Sequence, residues 1–137
     1  MSEKNSSSFS AKPKRNTLKG RTGLARLWNA TRYSRDGFCA AYCDEQAFRQ
    51  IACVAVVGLP LACILGRSWV EVVVLVAVLL LALIVELLNS AIENVVDRIS
   101  LELHPLAKKA KDMGSAAQFV AQSLIVFTWG TFLCSLL

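Results

Sequence analysis

Polar side chains capable of acid–base or metal chemistry follow directly on the most apolar stretch of the sequence. Residues 72–85 form a run of 14 residues without a polar side chain, and ELLNSAIENVVDRIS follows at 86–100. If this segment is helical, at about 100° per residue, five of its polar residues share one face, within about 60° of Glu86. They are Glu86, Asn89, Ser90, Glu93 and Asp97. Carboxylates in this arrangement take up protons or hold a divalent cation.

A second polar stripe follows after Pro105, at steps of four, three and four residues. It consists of Lys111, Ser115, Gln118 and Gln122, with Asp112 beside it and His104, Lys108 and Lys109 before it. Acids facing basic residues favour magnesium and a phosphate-rich ligand. Neither G-x-x-x-x-G-K-[ST] nor G-x-G-x-x-G occurs in the sequence. The residues alone indicate a phosphate-handling or ion-coupled protein. Polar seams that only hold helices or subunits together are the alternative.

Three long apolar segments must position these side chains. The chain has 137 residues, of which 55% are hydrophobic. Because about 20 helical residues cross ~30 Å of hydrocarbon, the sequence predicts three spanning helices. Their expected ranges are 47–65, 69–92 and 113–135. The second range must extend past residue 85, so Glu86 and Asn89 are expected below the membrane surface, where an ionisable residue is a functional candidate. Buried helices of a soluble bundle are the alternative.

The distribution of charge predicts the orientation of the chain. Residues 1–49 hold ten of the fifteen lysines and arginines, the link after the first span holds only Arg67, and residues 94–112 hold four. Since basic residues collect on the cytoplasmic side, we expect a cytoplasmic N-terminus and a periplasmic C-terminus. The same basic excess is found in nucleic-acid-binding proteins, but no nucleic-acid-binding module is visible and no nucleic acid partner is expected.

The N-terminal part divides into two predicted segments. Residues 1–22 are polar, basic and rich in serine, which is typical of a disordered tail. Residues 23–137 are expected to form one membrane domain that begins with an amphipathic surface helix at 23–44, with aromatic and apolar residues on one side and arginines on the other. A soluble amphipathic helix packed on the cytoplasmic face is the alternative. Three spanning helices enclose a polar site poorly, so an oligomer is expected.

Three motifs resemble the bacterial integral-membrane diacylglycerol kinase family. They are DEQAFRQ at 44–50, ELLNSAIENVVDRIS at 86–100 and AKDMGSAA at 110–117, and the resemblance extends from about Arg26 to Trp129. It implies an all-α homotrimeric bundle of three-span subunits with a surface helix, in the bacterial inner membrane. It also implies transfer of the γ-phosphate of ATP to the free hydroxyl of diacylglycerol. The product would be phosphatidic acid, and magnesium the cofactor.

The resemblance also implies residue roles. Glu86 would be the general base toward the lipid hydroxyl, Asn89 would orient Glu86 or the lipid headgroup, and Lys111 would neutralise charge on the transferring phosphoryl group, with Asp112 beside it. Glu45 and Glu93 would hold magnesium. The implied nucleotide-binding set is Arg26, Tyr33, Glu45, Glu93, Glu102, His104, Lys111 and Asp112. The implied lipid-contacting set is Arg26, Ala47, Phe48, Arg49, Gln50, Ile51, Glu86 and Ser115.

Three alternative functions remain open from the sequence. A kinase of the same fold that phosphorylates undecaprenol would use the same active-site residues on another acceptor. A small ion-coupled transporter would use Glu86 as a proton site but leaves Lys111 and Asp112 unexplained. A purely structural membrane protein is the third alternative. Magnesium-dependent ATP turnover with a lipid alcohol separates the kinases from the other two.

Overall fold

The computed structural model describes residues 23–99 and 104–137, all four of whose regular elements are helices. They are α1 (Leu24–Asp44), α2 (Gln46–Leu65), α3 (Trp69–Ile99) and α4 (Pro105–Cys134). Three of them, α2, α3 and α4, are long and apolar enough to cross a membrane. The predicted all-α fold with three candidate spans is therefore confirmed. The predicted tail at 1–22 lies outside the described residues.

The described chain divides into two units, one that ends at Ser34 and one from Arg35 to Leu137. The helix α1 occupies the range expected for the surface helix and contributes residues to both units. Its last turn is capped by Arg49, whose Nη1 donates to the carbonyls of Tyr42 and Cys43, each at 3.0 Å. A cation at the end of a helix satisfies carbonyls that have no partner within it. The cap fixes the corner between α1 and α2.

In the second unit, α3 packs against both α2 and α4. Apolar contacts join Ile51, Ala82 and Ala121 in one cluster and Ala62, Leu75 and Phe132 in another. From the first cluster to the second the residue numbers rise in α2 and α4 and fall in α3, so α3 runs antiparallel to both. Small residues at these crossings let the helix backbones approach closely, as is usual between membrane helices. The central helix therefore carries side chains that face both neighbours.

The length and the ends of α3 and α4 follow from the sequence. At ~1.5 Å per residue the 31 residues of α3 reach about 46 Å, more than the hydrocarbon thickness of ~30 Å. The helix α4 begins at Pro105, where a missing N–H costs nothing, and the His104 ring nitrogen Nδ1 accepts from the Leu106 N–H at 3.2 Å. Both helices therefore continue beyond their apolar segments and bring polar residues together there.

Candidate active site

The buried face of α3 ends in a carboxylate. Its buried residues follow helical spacing and are Leu75, Val78, Leu79, Ala82, Glu86 and Ser90. Glu86 is only 2% exposed, and its Oε2 has no hydrogen-bond partner among the residues that the structure describes. Because an unpaired buried carboxyl oxygen destabilises the folded chain, Glu86 is a candidate for a functional role.

Asn89 connects Glu86 to the more exposed part of the same face. Its Nδ2 donates to the Glu93 carboxylate at 3.2 Å, one turn further along α3. Its Oδ1 is buried and lies against Gly114 of α4, where an added Cβ would overlap that oxygen. The glycine thus allows α4 to approach α3 at this level, and the close contact defines the orientation of the Asn89 amide.

An open cleft of about 320 Å³ lies between these helices, with the residue before α2 at its edge. We call it the acidic cleft. Its lining residues are Glu45, Ala47, Glu86, Asn89, Glu93, Ser115, Gln118, Phe119 and Gln122. Three carboxylates from two parts of the chain face one space, of which Glu86 is buried while Glu45 and Glu93 are partly exposed. The arrangement combines one buried carboxylate with two carboxylates that are partly accessible.

Six of the predicted site residues are brought together in the acidic cleft. They are Glu45, Ala47, Glu86, Asn89, Glu93 and Ser115. From the sequence, Glu45 and Ala47 were assigned to the site only through the family resemblance, because nothing in the spacing relates residues 45–47 to residues 86–93. These residues reach the cleft because the chain bends at Glu45, where the backbone between α1 and α2 is extended with φ −108° and ψ 117°. This bend turns the start of α2 toward the polar end of α3.

The predicted phosphate-binding residues of α4 lie outside the cleft lining and form ion pairs. Lys111 Nζ lies 2.6 Å from the Asp97 carboxylate, which joins α4 to the last turns of α3. Lys108 Nζ lies 2.6 Å from Asp112, within the first turns of α4. His104 caps α4. The charge of Lys111 is therefore compensated by Asp97.

The predicted lipid-contacting residues at 47–51 have different environments. Phe48 is buried against the Phe38 ring at a centroid distance of 6.2 Å, and Ile51 is buried in one apolar cluster with Ala82 of α3 and Ala121 of α4. Arg49 caps α1, and Gln50 is exposed. These positions account for the packing of the segment, and its lipid contacts stay a prediction.

Three remaining predicted residues cannot be related to the cleft. Arg26 and Tyr33 lie on α1 in the unit that ends at Ser34, and both are exposed. Glu102 lies outside the described residues. Their nucleotide contacts also stay a prediction.

Three cleft residues were not among the predicted site residues: Gln118, Phe119 and Gln122. The stripe of polar residues through Lys111 and Ser115 already included both glutamines. That stripe was the available signal, because a glutamine amide has no place on the lipid-facing side of an apolar helix. Phe119 gave no such signal, since an aromatic residue in an apolar helix usually contacts lipid or the core.

Fold and site together define a small helical membrane protein whose acidic cleft lies near one end of its spans. A comparison with known protein families identifies the family to which the chain belongs. The profile of the family described as prokaryotic diacylglycerol kinase matches residues 32–133. The chain therefore belongs to the prokaryotic diacylglycerol kinase family.

Curated relatives support the same family over most of the chain. A diacylglycerol kinase of Pseudomonas aeruginosa is 61% identical over 116 residues, which cover 85% of this chain and 94% of that protein. One of Escherichia coli (strain K12) is 45% identical over 108 residues, 79% of this chain and 88% of that protein. One of Haemophilus influenzae is 43% identical over 109 residues, 80% of this chain and 92% of that protein. The chain is thus a multi-pass membrane protein and a lipid kinase of the diacylglycerol kinase class.

Proposed function

We propose that the protein transfers the γ-phosphate of ATP to the free hydroxyl of diacylglycerol and so produces phosphatidic acid. The observation that carries this proposal is the buried Glu86 carboxylate with an unpartnered oxygen in the acidic cleft. Glu86 takes the hydroxyl proton, the lipid oxygen bonds to the γ-phosphorus, and the bond to the bridging oxygen of ADP breaks. Phosphoryl transfer of this kind depends mainly on positioning and charge neutralisation.

Asn89 and Lys111 assist this step in the proposal. The Asn89 amide is held between Gly114 and Glu93, so it orients a group that binds in the cleft between Glu86 and Glu93. Lys111 leaves Asp97 and binds phosphate oxygens when the nucleotide binds. The exchange is possible because the ion pair with Asp97 is exposed and the phosphate offers the same kind of anionic partner. The negative charge of the transferring phosphoryl group is thereby neutralised by the ammonium group of Lys111, which lies one turn of α4 before the cleft residue Ser115.

Magnesium fits the carboxylates at this site. Among residues 23–99 and 104–137, no group of three or more His, Cys, Asp or Glu side chains is arranged to hold a metal ion by itself. Magnesium is commonly held by one or two carboxylates and completed by substrate phosphates. Glu45 and Glu93, both partly exposed in the acidic cleft, would hold it. When bound it neutralises phosphate charge and aligns the γ-phosphate.

The cellular arrangement also belongs to the proposal. The basic N-terminal segment and the basic residues at 94–112 favour a cytoplasmic position for the acidic cleft, where ATP is available, and the bacterial inner membrane as the location. The homotrimer that the resemblance implies is supported by the open side of the cleft. The mass of the protein in native detergent complexes tests the trimer.

Phosphate transfer by the purified full chain in lipid micelles tests the function. Diacylglycerol and undecaprenol are offered side by side with magnesium and labelled ATP, to the wild type and to Glu86→Gln. We expect transfer to diacylglycerol and a loss of about 10²-fold or more in the variant, the usual size of a general-base contribution. Glu71→Gln, the same exchange at the opposite end of α3, is the matched control and should retain turnover.

Each result has a definite meaning. Preference for undecaprenol would retain the chemistry and replace the acceptor. Equal turnover by the wild type and Glu86→Gln would reject Glu86 as the base. Absence of transfer to either lipid would reject the kinase.

A further inference from the structure

Gln118 is a buried amide without a partner among the described residues. Its side chain lies on α4, is 7% exposed and lines the acidic cleft. Neither its Nε2 nor its Oε1 forms a hydrogen bond with any residue that the structure describes. Because unpaired buried amides destabilise a folded chain, such a group in a ligand cleft indicates a ligand that supplies the missing partner.

The position of Gln118 is level with Glu86. The contact between Asn89 and Gly114 defines one level at which α3 and α4 meet. Gln118 lies four residues beyond Gly114 on α4, and Glu86 lies three residues before Asn89 on the antiparallel α3. At ~1.5 Å per residue both are therefore displaced by about 5 Å in the same direction. The amide and the carboxylate thus face the same part of the cleft.

A buried apolar cluster lies immediately beyond this level, on the side away from Asn89 and Gly114. It consists of Ile51, Ala82 and Ala121, which are buried together one turn further along the helices. A ligand that reaches Glu86 from the hydrocarbon must pass from apolar contacts to the two polar side chains at this level. This environment fits the part of a lipid where its acyl chains join its polar backbone.

We propose that Gln118 is a specificity-determining residue whose side-chain N–H donates a hydrogen bond to an ester carbonyl of the acceptor lipid. This inference rests on the proposed function. A diacylglycerol carries two ester carbonyls within a few bonds of its free hydroxyl, so a carbonyl reaches Gln118 when the hydroxyl lies at Glu86. A polyprenol carries no polar group besides its hydroxyl and leaves the amide unpaired. Sites with a buried hydrogen-bonding group discriminate against ligands that lack its partner.

A pair of lipids that differ only in these carbonyls tests the inference. Dioleoylglycerol and its dioleyl ether analogue have the same free hydroxyl and nearly the same chains. The kcat/KM for each is measured with the full-length protein in micelles, for the wild type and for Gln118→Met. We expect the wild type to prefer the ester by about five- to ten-fold, the value of one neutral hydrogen bond. The variant should treat both lipids alike by losing activity on the ester alone.

Two further measurements exclude a merely structural role. Methionine keeps the length of the side chain and removes the unpaired amide, so thermal unfolding of Gln118→Met without lipid should occur at an unchanged or higher temperature. Gln46→Met is the matched control, because Gln46 is exposed and is not part of the cleft lining. It should retain both the activity and the ester preference of the wild type.

Specific outcomes would overturn the inference. Equal losses on ester and ether, together with a lower unfolding temperature, would mean that Gln118 bonds another part of the protein or a second copy of the chain. A wild type that transfers phosphate to both lipids equally well would also overturn it and leave the proposed function intact. A wild type that transfers phosphate to neither lipid would overturn the proposed function and this inference with it.

Discussion

Gly114 of α4 packs directly against the side-chain amide of Asn89 on α3. An added Cβ at position 114 would overlap the Asn89 oxygen, while the amide nitrogen donates to Glu93 at 3.2 Å. The glycine therefore determines both the separation of the two helices at the acidic cleft and the orientation of a predicted catalytic side chain. A helix–helix contact and the geometry of the site depend on one missing methyl group.

Gly114→Ala should consequently impair both stability and turnover. Either the Asn89 side chain must rotate away from Glu93 or the helices must separate, and overpacking of this kind costs about 1–3 kcal/mol of unfolding free energy. We expect a lower unfolding temperature and a reduction in kcat of about ten-fold or more, because positioning errors are costly at reacting groups.

Gly130→Ala is the matched control on the same helix. A Cβ at position 130 meets no atom within 4 Å, so we expect unchanged or slightly higher stability and full activity. If both alanine variants behaved alike, the close contact at Asn89 would have no influence on the site.

Much of the fold follows from the sequence because hydrophobic length and charge are local properties. The three apolar segments were sufficient to predict the three candidate spans, and the polar face at Glu86 and Asn89 was sufficient to predict a site. The polar stripe that contains Ser115 and Gln118 was also sufficient to predict which face of α4 lies toward α3.

Properties that depend on which atoms meet across helices did not follow. The role of Gly114 depends on a contact 25 positions away in the chain, with Asn89, and a glycine within a helical pattern gives no such indication. Similarly, nothing local indicates that Lys111 pairs with Asp97 rather than with the adjacent Asp112. The family resemblance implied that Phe48 and Ile51 contact the lipid. In the structure both side chains are buried in the core.

The ion pair between Lys111 and Asp97 leads to a second prediction. If Lys111 neutralises the transferring phosphoryl group, Lys111→Met should lower kcat by about 10²-fold or more, as removal of a transition-state donor does. Asp97→Asn removes only the competing partner, so its kcat should change by less than about five-fold and its KM for ATP should not rise. Steady-state kinetics on both variants measures these quantities. Equal losses in the two variants would mean that the ion pair acts structurally by joining α3 to α4.

The proposed magnesium site leads to a third prediction. Glu45→Gln and Glu93→Gln each remove one negative charge and retain the shape of the side chain, and the second variant keeps a side-chain oxygen that can accept from Asn89. The magnesium concentration for half-maximal activity should rise by about ten-fold or more, with little change in KM for the lipid. Asp44→Asn is the control, because this exposed acid next to Glu45 does not line the cleft. An unchanged magnesium requirement in both glutamine variants would exclude these carboxylates as ligands.

The opposite end of the bundle depends on Arg67, in the link between α2 and α3. Its guanidinium group donates to the Glu71 carboxylate at 3.3 Å, and to the Ser135 hydroxyl at 2.9 Å and carbonyl at 3.3 Å. It also lies 5.9 Å from the centre of the Phe132 ring. One side chain thus ties the start of α3 to the end of α4, about 22 Å along α3 from Glu86 at ~1.5 Å per residue.

Arg67→Met should therefore lower the unfolding temperature in detergent and leave kcat at permissive temperature unchanged, because the acidic cleft lies far from this contact. Arg67→Lys should recover only part of the stability, since one ammonium group does not reproduce the fork of donors that contacts Glu71 and Ser135 together. A double-mutant cycle with Ser135→Ala measures the coupling, and the combined variant should lose less than the sum of the single losses. Additive losses would show that Arg67 and Ser135 stabilise the chain independently, and a fall in kcat would show that this end of the bundle influences the cleft.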